Sequence, residues 1–263
     1  MRLGLTSAAF YGRLETEDAA RKLRDFSLDV CEIFLETHGE YSLAFGELVK
    51  TRLGDLPCRS IHAKGTQFEG DLFGASSRQR QDAYTTLAGV LDCGMALGAK
   101  LLVFHGMPDY RGMLAVERIP RLHETICRVM EMAGERGITL TWENVSWCAL
   151  KRPEDAAFLM SQFPDLRFTL DIKQARQRGV DPLAFLPVLG RKLAHVHVLD
   201  HDAAGRHCLP GEGLFDFERL KSELSAIGYQ GDVILEPYAA QTLDEQALRN
   251  SITYLRDVFG KDA

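Results

Sequence analysis

Six ionisable side chains fall where strand-like runs of an otherwise apolar sequence come to an end. The runs finish as Ser60-Ile61-His62, Val103-Phe104-His105, Thr141-Trp142-Glu143 and Thr169-Leu170-Asp171, pass through Ala194-His195-Val196-His197, and close on Ile234-Leu235-Glu236. A carboxylate that closes an apolar strand needs a partner, because burying it alone is costly. If the strands form one closed sheet, these carboxylates converge on one face, repel one another and raise each other's pKa. A divalent cation relieves that repulsion, and a mixture of imidazole and carboxylate ligands suits Zn²⁺, Mn²⁺ or Co²⁺. The competing account is an ion-pair network with Lys64 and Lys173 as counterions.

The elements that must position these residues alternate along the whole chain. Short β-branched or aliphatic runs lie at 2–6, 29–35, 58–62, 100–104, 138–142, 167–170, 193–199 and 232–235, separated by stretches of helical period. In the stretch 16–26, Thr16 is placed to cap, Glu17 and Asp18 favour the helix start, and Ala19, Leu23 and Phe26 form an apolar stripe. The stretch 78–98 ends at Gly98, a third helix spans 121–134, and Asp216 caps one that presents Phe217, Leu220, Leu224 and Ile227. Eight such units in 263 residues average about 33 residues each, the size a (β/α)₈ barrel requires. A doubly wound sheet would want a glycine-rich turn after the first strand, and Thr6-Ser7-Ala8-Ala9 is not one. The expected architecture is therefore a single TIM-barrel domain over residues 1–263, with its chemistry at the C-terminal ends of the strands.

Composition sets the outer bounds. With 46% hydrophobic and 26% charged residues the chain is of ordinary globular type. The net charge of −6 provides no global basic field, which argues against nucleic acid as a partner. No apolar run reaches the roughly 18 residues of a membrane helix. Six cysteines lie far apart without a C-x-x-C pair and read as reduced thiols in a cytoplasm. A homo-oligomer is left open.

The strand-end pattern resembles the xylose isomerase-like barrel superfamily, which holds sugar isomerases and epimerases, inositol-catabolism enzymes and endonuclease IV. The resemblance runs from His62 to Glu236 and implies a ligand set from strands five to eight: Glu143, Asp171, His197 and Glu236. Endonuclease IV is similar in adding a His from each of strands three and four, which His62 and His105 match as a possible second metal site or substrate contact. Its third-metal positions hold Gln174, Gly205 and His207 here, so two of those three ligands are absent. The ketose 3-epimerases grip their sugar at positions that hold Gln174, Ala149 and Ala203 here, with Arg206 close by. The chain also resembles proteins described as sugar phosphate isomerase/epimerase, in Thr66-Gln67-Phe68-Glu69, Glu143-Asn144-Val145-Ser146-Trp147 and His207-Cys208-Leu209-Pro210-Gly211-Glu212-Gly213.

The resemblance implies proton transfer beside a carbonyl on a small sugar, polyol or sugar phosphate, through an enediolate stabilised by the metal, with Glu143 and Glu236 as catalytic base and acid. The alternatives are a metal-dependent phosphodiesterase or hydrolase, and a barrel that only binds a metabolite. Gln174, Arg206, His207 and Trp147 are the candidate substrate contacts, Trp147 by stacking on a sugar ring. Trp142 should point outward into the core, and His195 should lie one layer below His197 inside the barrel. Asp200 is expected to brace the loop after His197. Of the two acids of the second strand, Glu36 is favoured over Glu32 as pocket-facing, and Arg78 and Arg80 read as solvated helix-end charges.

Overall fold

The computed structural model describes residues 1–260, and its centre is a closed, all-parallel barrel of eight strands. These are β1 (Arg2–Thr6), β2 (Val30–Leu35), β3 (Cys58–Ala63), β4 (Leu101–Phe104), β5 (Thr139–Glu143), β6 (Arg167–Asp171), β7 (Leu193–Val198) and β8 (Asp232–Leu235). Each pairs with its sequence neighbours, and β8 closes on β1 through Gly4 opposite Ile234. Around it run α1 (Thr16–Leu23), α2 (Leu43–Leu53), α3 (Ser77–Leu97), α4 (Leu122–Gly134), α5 (Pro153–Gln162), α6 (Ile172–Gln177), α7 (Leu186–Leu189), α8 (Phe217–Ala226) and α9 (Glu245–Phe259). This is a TIM barrel. Among the described residues no helix is long and apolar enough to cross a membrane.

Two-residue alternation sorts the strand side chains. Ile61, Trp142, Phe168, Leu170, Val196 and Val198 take the outward positions and are fully buried in the helix layer. The inward positions are unusually polar. Glu32, Ser60, Thr141, Thr169 and His195 fill the barrel interior, where branched aliphatic residues commonly dominate. They bond to one another: the Thr169 hydroxyl donates to Thr141 Oγ1 (2.8 Å), and the Ser60 hydroxyl to Glu32 Oε2 (2.8 Å). A polar floor can face a polar site directly above it, whereas an aliphatic floor would leave the site's lower donors without partners.

Helix ends follow local chemistry. The Asp216 carboxylate accepts from Arg219 N (2.8 Å), and Gly98 ends α3 in a left-handed conformation with φ of 78°. Thr16 does not cap α1. It is the first helical residue, and its hydroxyl is drawn to the buried Glu40 carboxylate (3.2 Å). The helix stops at Leu23, and Phe26 joins the core from the following turn.

Candidate metal centre

Register brings the ionisable strand ends to the same mouth of the barrel, staggered by up to two residues between neighbouring strands. Asp171 stands opposite His197, His197 opposite Ile234, and Glu143 opposite Thr169. Glu236 follows β8, and its N–H is held by Val198 O (3.0 Å). His105 follows β4 and owes its place to two features. Glu69 accepts from the N–H groups of His105 and Gly106 (both 2.8 Å), and Gly106 has a φ of +79° with Trp142 so close that a Cβ would sit 2.5 Å from it. Trp142 is outward and fully buried, with its indole N–H donating to His105 O (3.0 Å).

The result is a buried cluster. Glu143, Asp171, His197 and Glu236 each offer a ligand atom within 4.8 Å of the others. Two further groups meet the same measure, Glu32–His62–His197–Glu236 and His62–His105–Glu143. His197 Nδ1 lies 3.0 Å from Glu143 Oε1 and 3.6 Å from Glu236 Oε2, while its Nε2 lies 3.1 Å from Glu32 Oε2. His62 and His105 touch through their Nε2 atoms (2.7 Å), and His105 Nε2 reaches Glu143 Oε2 (3.2 Å). Asn144 fixes the Asp171 backbone, accepting from its N–H (2.8 Å) and donating to its carbonyl (2.9 Å).

Electrostatics show how far the protein compensates this charge alone. Lys173 Nζ lies 2.7 Å from Glu236 Oε2 and 3.4 Å from Asp171 Oδ2, with its ammonium over the Tyr238 ring. Lys64 takes no part and donates to the Tyr11 hydroxyl (2.9 Å). Half of the ion-pair network expected from sequence therefore exists. Burial opposes ionisation of Glu143, but hydrogen bonds from His105 and His197 outweigh it and hold the group down to about 2. Burial pushes Asp171 up to about 8; Lys173 opposes the rise and the charges of Glu236 and Glu143 reinforce it. Burial disfavours a charged His62, yet Glu236 and Glu32 raise it to about 10. His197 is likewise raised against its burial, by Glu32 and Glu236. Protons on Asp171, His62 and His197 thus balance a charge that Lys173 alone does not.

That is the signature of a cation site. Asp171 Oδ2, Glu32 Oε1, His62 Nδ1 and His105 Nδ1 are buried without a hydrogen-bond partner among the described residues. Carboxylates and imidazoles within 4.8 Å form a donor set that fits a divalent ion.

The remaining candidates are dispersed. Gln174 Oε1 is taken by the Ser146 N–H (3.0 Å) and hydroxyl (2.8 Å). Arg206 is exposed and pairs with Asp202 (2.7 Å) in a hairpin joining Asp200–His201 to His207–Cys208. His207 is half-buried, 2.9 Å from Gln177 Nε2 and beside the Tyr238 ring. Trp147 sits edge-on to His105 at 5.5 Å and stacks on exposed Tyr110. Asp200 braces the loop after His197 by accepting from the N–H groups of His201, Gly211, Gly213 and Phe215.

Between the two acids of β2 the expectation is reversed. Glu32 is fully buried at the centre of the cluster, whereas Glu36 lies beyond the strand, pushed up to about 7 by burial and by Glu40 and Glu15. Sequence reading weighs Glu32 but favours Glu36 over it, and gives Glu69 and Asn144 no role. The available signal was Glu32 itself, a carboxylate inside an apolar strand. A cavity of about 270 Å³ opens beside Glu236, walled by Tyr11, Phe34, Tyr238, Lys64 and Lys173.

Comparison with known proteins bears on the fold. The chain matches no curated protein sequence. Among solved structures it is similar to a D-psicose 3-epimerase determined in the presence of D-fructose, at TM-score 0.79 and 16% identity over 99% of this chain and 100% of that one. It is also similar to a 3-keto-D-glucoside 4-epimerase from E. coli, at TM-score 0.77 and 20% identity over 98% and 99% of the two chains. A third is the IOLI protein with a bound zinc atom, at TM-score 0.75 and 17% identity over 99% of both. At such identities the likeness speaks for the barrel alone. The sequence profile described as xylose isomerase-like TIM barrel matches residues 58–258, well over half the chain. On that match the chain belongs to the xylose isomerase-like TIM barrel family.

Proposed function

We propose that the chain is a divalent-metal-dependent isomerase or epimerase of a small sugar, polyol or sugar phosphate. The observation that carries this reading is a pair of buried carboxylates, Glu143 and Glu236, that meet at His197 Nδ1 (3.0 and 3.6 Å), with Glu236 also lining the cavity. Glu143, Asp171, His197 and Glu236 would hold the cation. When bound, it supplies Lewis-acid polarisation of a carbonyl and the hydroxyl next to it.

The chain's own groups do the rest. Glu143 and Glu236 are held ionised, Glu143 by His105 and His197 and Glu236 by Lys173 and His197, each against the opposing effect of burial. An ionised carboxylate on one face of the substrate takes the proton from carbon beside the carbonyl, and the C–H electron pair moves towards the carbonyl. A carboxylate on the other face that has taken up a proton from solvent delivers it to invert that carbon; return of the abstracted proton to the neighbouring carbon, with the hydroxyl proton passing between the two oxygens, isomerises the sugar. Lys173 fixes Glu236 through Oε2, and Oε1 faces His62 (3.4 Å), so both oxygens of the acid–base group are oriented by basic side chains. Tyr11, Phe34 and Tyr238 give this side aromatic walls.

The test is exchange of solvent deuterium into a panel of aldoses, ketoses and their phosphates. Glu143→Gln and Glu236→Gln should each lower turnover by about 10²–10⁴-fold, with metal content measured alongside so that lost ligation is recognised. Turnover left intact in both variants would overturn the proposal. A second reading, a two-ion hydrolase, draws on the His62–His105–Glu143 group. Two metals per chain, one of them lost in His62→Ala, would decide for it.

A further inference from the structure

A second cavity lies on the other side of Lys173. Its volume is about 140 Å³, and it is walled by Lys173, Arg176 and Gln177 on one side and by Asp200, His201 and His207 of the hairpin on the other. Lys173 belongs to both cavities, so this one adjoins the space beside Glu236 across a single side chain.

The one acid of this wall is taken up by backbone N–H groups, and of its bases Lys173 is paired with Glu236 and Asp171 while Arg176 is not paired among the described residues. Asp200 is buried and saturated by four backbone N–H groups. Asp202 is held by Arg206 and by the N–H groups of Ala204 and Arg206. Arg176 is exposed and has no carboxylate partner among the described residues. His201 Nδ1 is buried with no hydrogen-bond partner, 3.8 Å from Asp200 Oδ1. His207 is engaged only by neutral groups, Gln177 and the Tyr238 ring. From two facing elements, α6 and the hairpin, the unpaired Arg176 guanidinium, the imidazoles of His201 and His207 and the paired Lys173 therefore surround a space whose one carboxylate, Asp200, is occupied by backbone N–H groups. A planar carboxylate would use one fork of donors, whereas donors arriving from opposite walls suit a tetrahedral dianion. The volume takes a phosphate group and leaves no room for a hexose beside it.

We infer that this cavity is a phosphate subsite, and that the substrate is a phosphorylated small carbohydrate whose carbon skeleton lies beside Glu236 with its phosphate across Lys173. The part of this inference that concerns the skeleton rests on the isomerase reading; the subsite itself does not. Arg176 is its specificity-determining residue. It supplies the one guanidinium on the cavity wall, whereas Arg206, a substrate-contact candidate from sequence, pairs with Asp202 in the exposed hairpin.

The test is a ³¹P NMR titration of inorganic phosphate into the zinc-loaded full chain, repeated with Arg176→Gln and His207→Gln. Loss of a charge-assisted donor should weaken phosphate binding at least tenfold in Arg176→Gln, less in His207→Gln, with zinc content unchanged in both. Equal affinity in the parent and Arg176→Gln would place the anion on the metal and overturn the subsite, as would no binding at all. The deuterium-exchange panel separates this inference from the isomerase reading. If Arg176→Gln weakens phosphate binding but no sugar is turned over, the subsite stands and the isomerase reading fails. If a sugar is turned over with a kcat/KM indifferent to both its phosphate and Arg176, the isomerase reading stands and the subsite fails.

Discussion

Replacing Lys173 by methionine should unfold the metal-free protein about 10 °C earlier while costing the metal-loaded protein much less. In the metal-free state the Lys173 ammonium is the counter-charge for Glu236 and Asp171, and all three are buried. Removing one partner of a buried pair leaves the other uncompensated, at about 3–5 kcal/mol. In a domain of this size each kcal/mol moves Tm by about 2–4 °C. Methionine keeps an apolar stem against Tyr238, so the loss is of charge rather than of packing. A bound divalent ion supplies Asp171 and Glu236 with another counter-charge, and the penalty shrinks. Thermal unfolding of the parent and Lys173→Met, each with chelator and with Zn²⁺, makes the comparison. Equal losses in both states would show that Lys173 and the ion do not share those carboxylates.

The second large effect is a change in pH dependence on metal loading. His62 is raised to about 10 from its ordinary 6.5, and His197 is raised too. The stability such groups contribute is full below about 6.5 and is lost as pH climbs through the folded-state value. Asp171, raised to about 8, acts with the same sign: the folded protein keeps a proton that the unfolded chain has released, so stability falls as pH rises towards 8. Glu143 is depressed to about 2, and Glu32 and Glu236 are depressed as well. Their contribution is present above about 4.5 and disappears only in acid. Between pH 7 and 10 the metal-free protein should therefore lose stability steadily. A cation displaces those protons, so loading at pH 7 should release at least one proton, metal affinity should rise with pH, and the loaded protein should stay level to about pH 9. At a thousandfold excess over Kd, loading alone adds about 4 kcal/mol. Calorimetric titration of Zn²⁺ in two buffers of different ionisation enthalpy counts the protons, and urea unfolding with and without chelator traces the pH profile. No proton release, with parallel profiles, would contradict this account.

Most of the barrel was legible because strands buried on the helix side announce themselves as apolar runs. All eight strand ends lie within one residue of where the sequence placed them, at Thr6, Leu35, Ala63, Phe104, Glu143, Asp171, Val198 and Leu235. Helix starts were less so: a threonine in a capping position competes for partners, and at α1 the buried Glu40 draws the Thr16 hydroxyl instead. In the site, residues at strand ends were visible because an ionisable group there breaks the pattern. Glu32 was harder to place, because mid-strand it shares its face with Val30 and Phe34, and only closure of the barrel brings β7 across to it. Lys173 was legible as a counter-charge, but its place between two cavities depends on where α6 leaves Asp171. Glu69 acts through backbone N–H groups of His105 and Gly106, a partnership that carries no sequence pattern.

The central claim is that the cluster at the mouth of the barrel binds a divalent cation, and metal counting tests it most directly. Tag-free, chelator-free protein should carry one ion per chain by elemental analysis, or take one up from Zn²⁺, Mn²⁺ or Co²⁺, and should lose it in Asp171→Ala while circular dichroism shows the fold retained. A folded protein that takes up none of the three ions, or an ion that survives Asp171→Ala, would contradict the account.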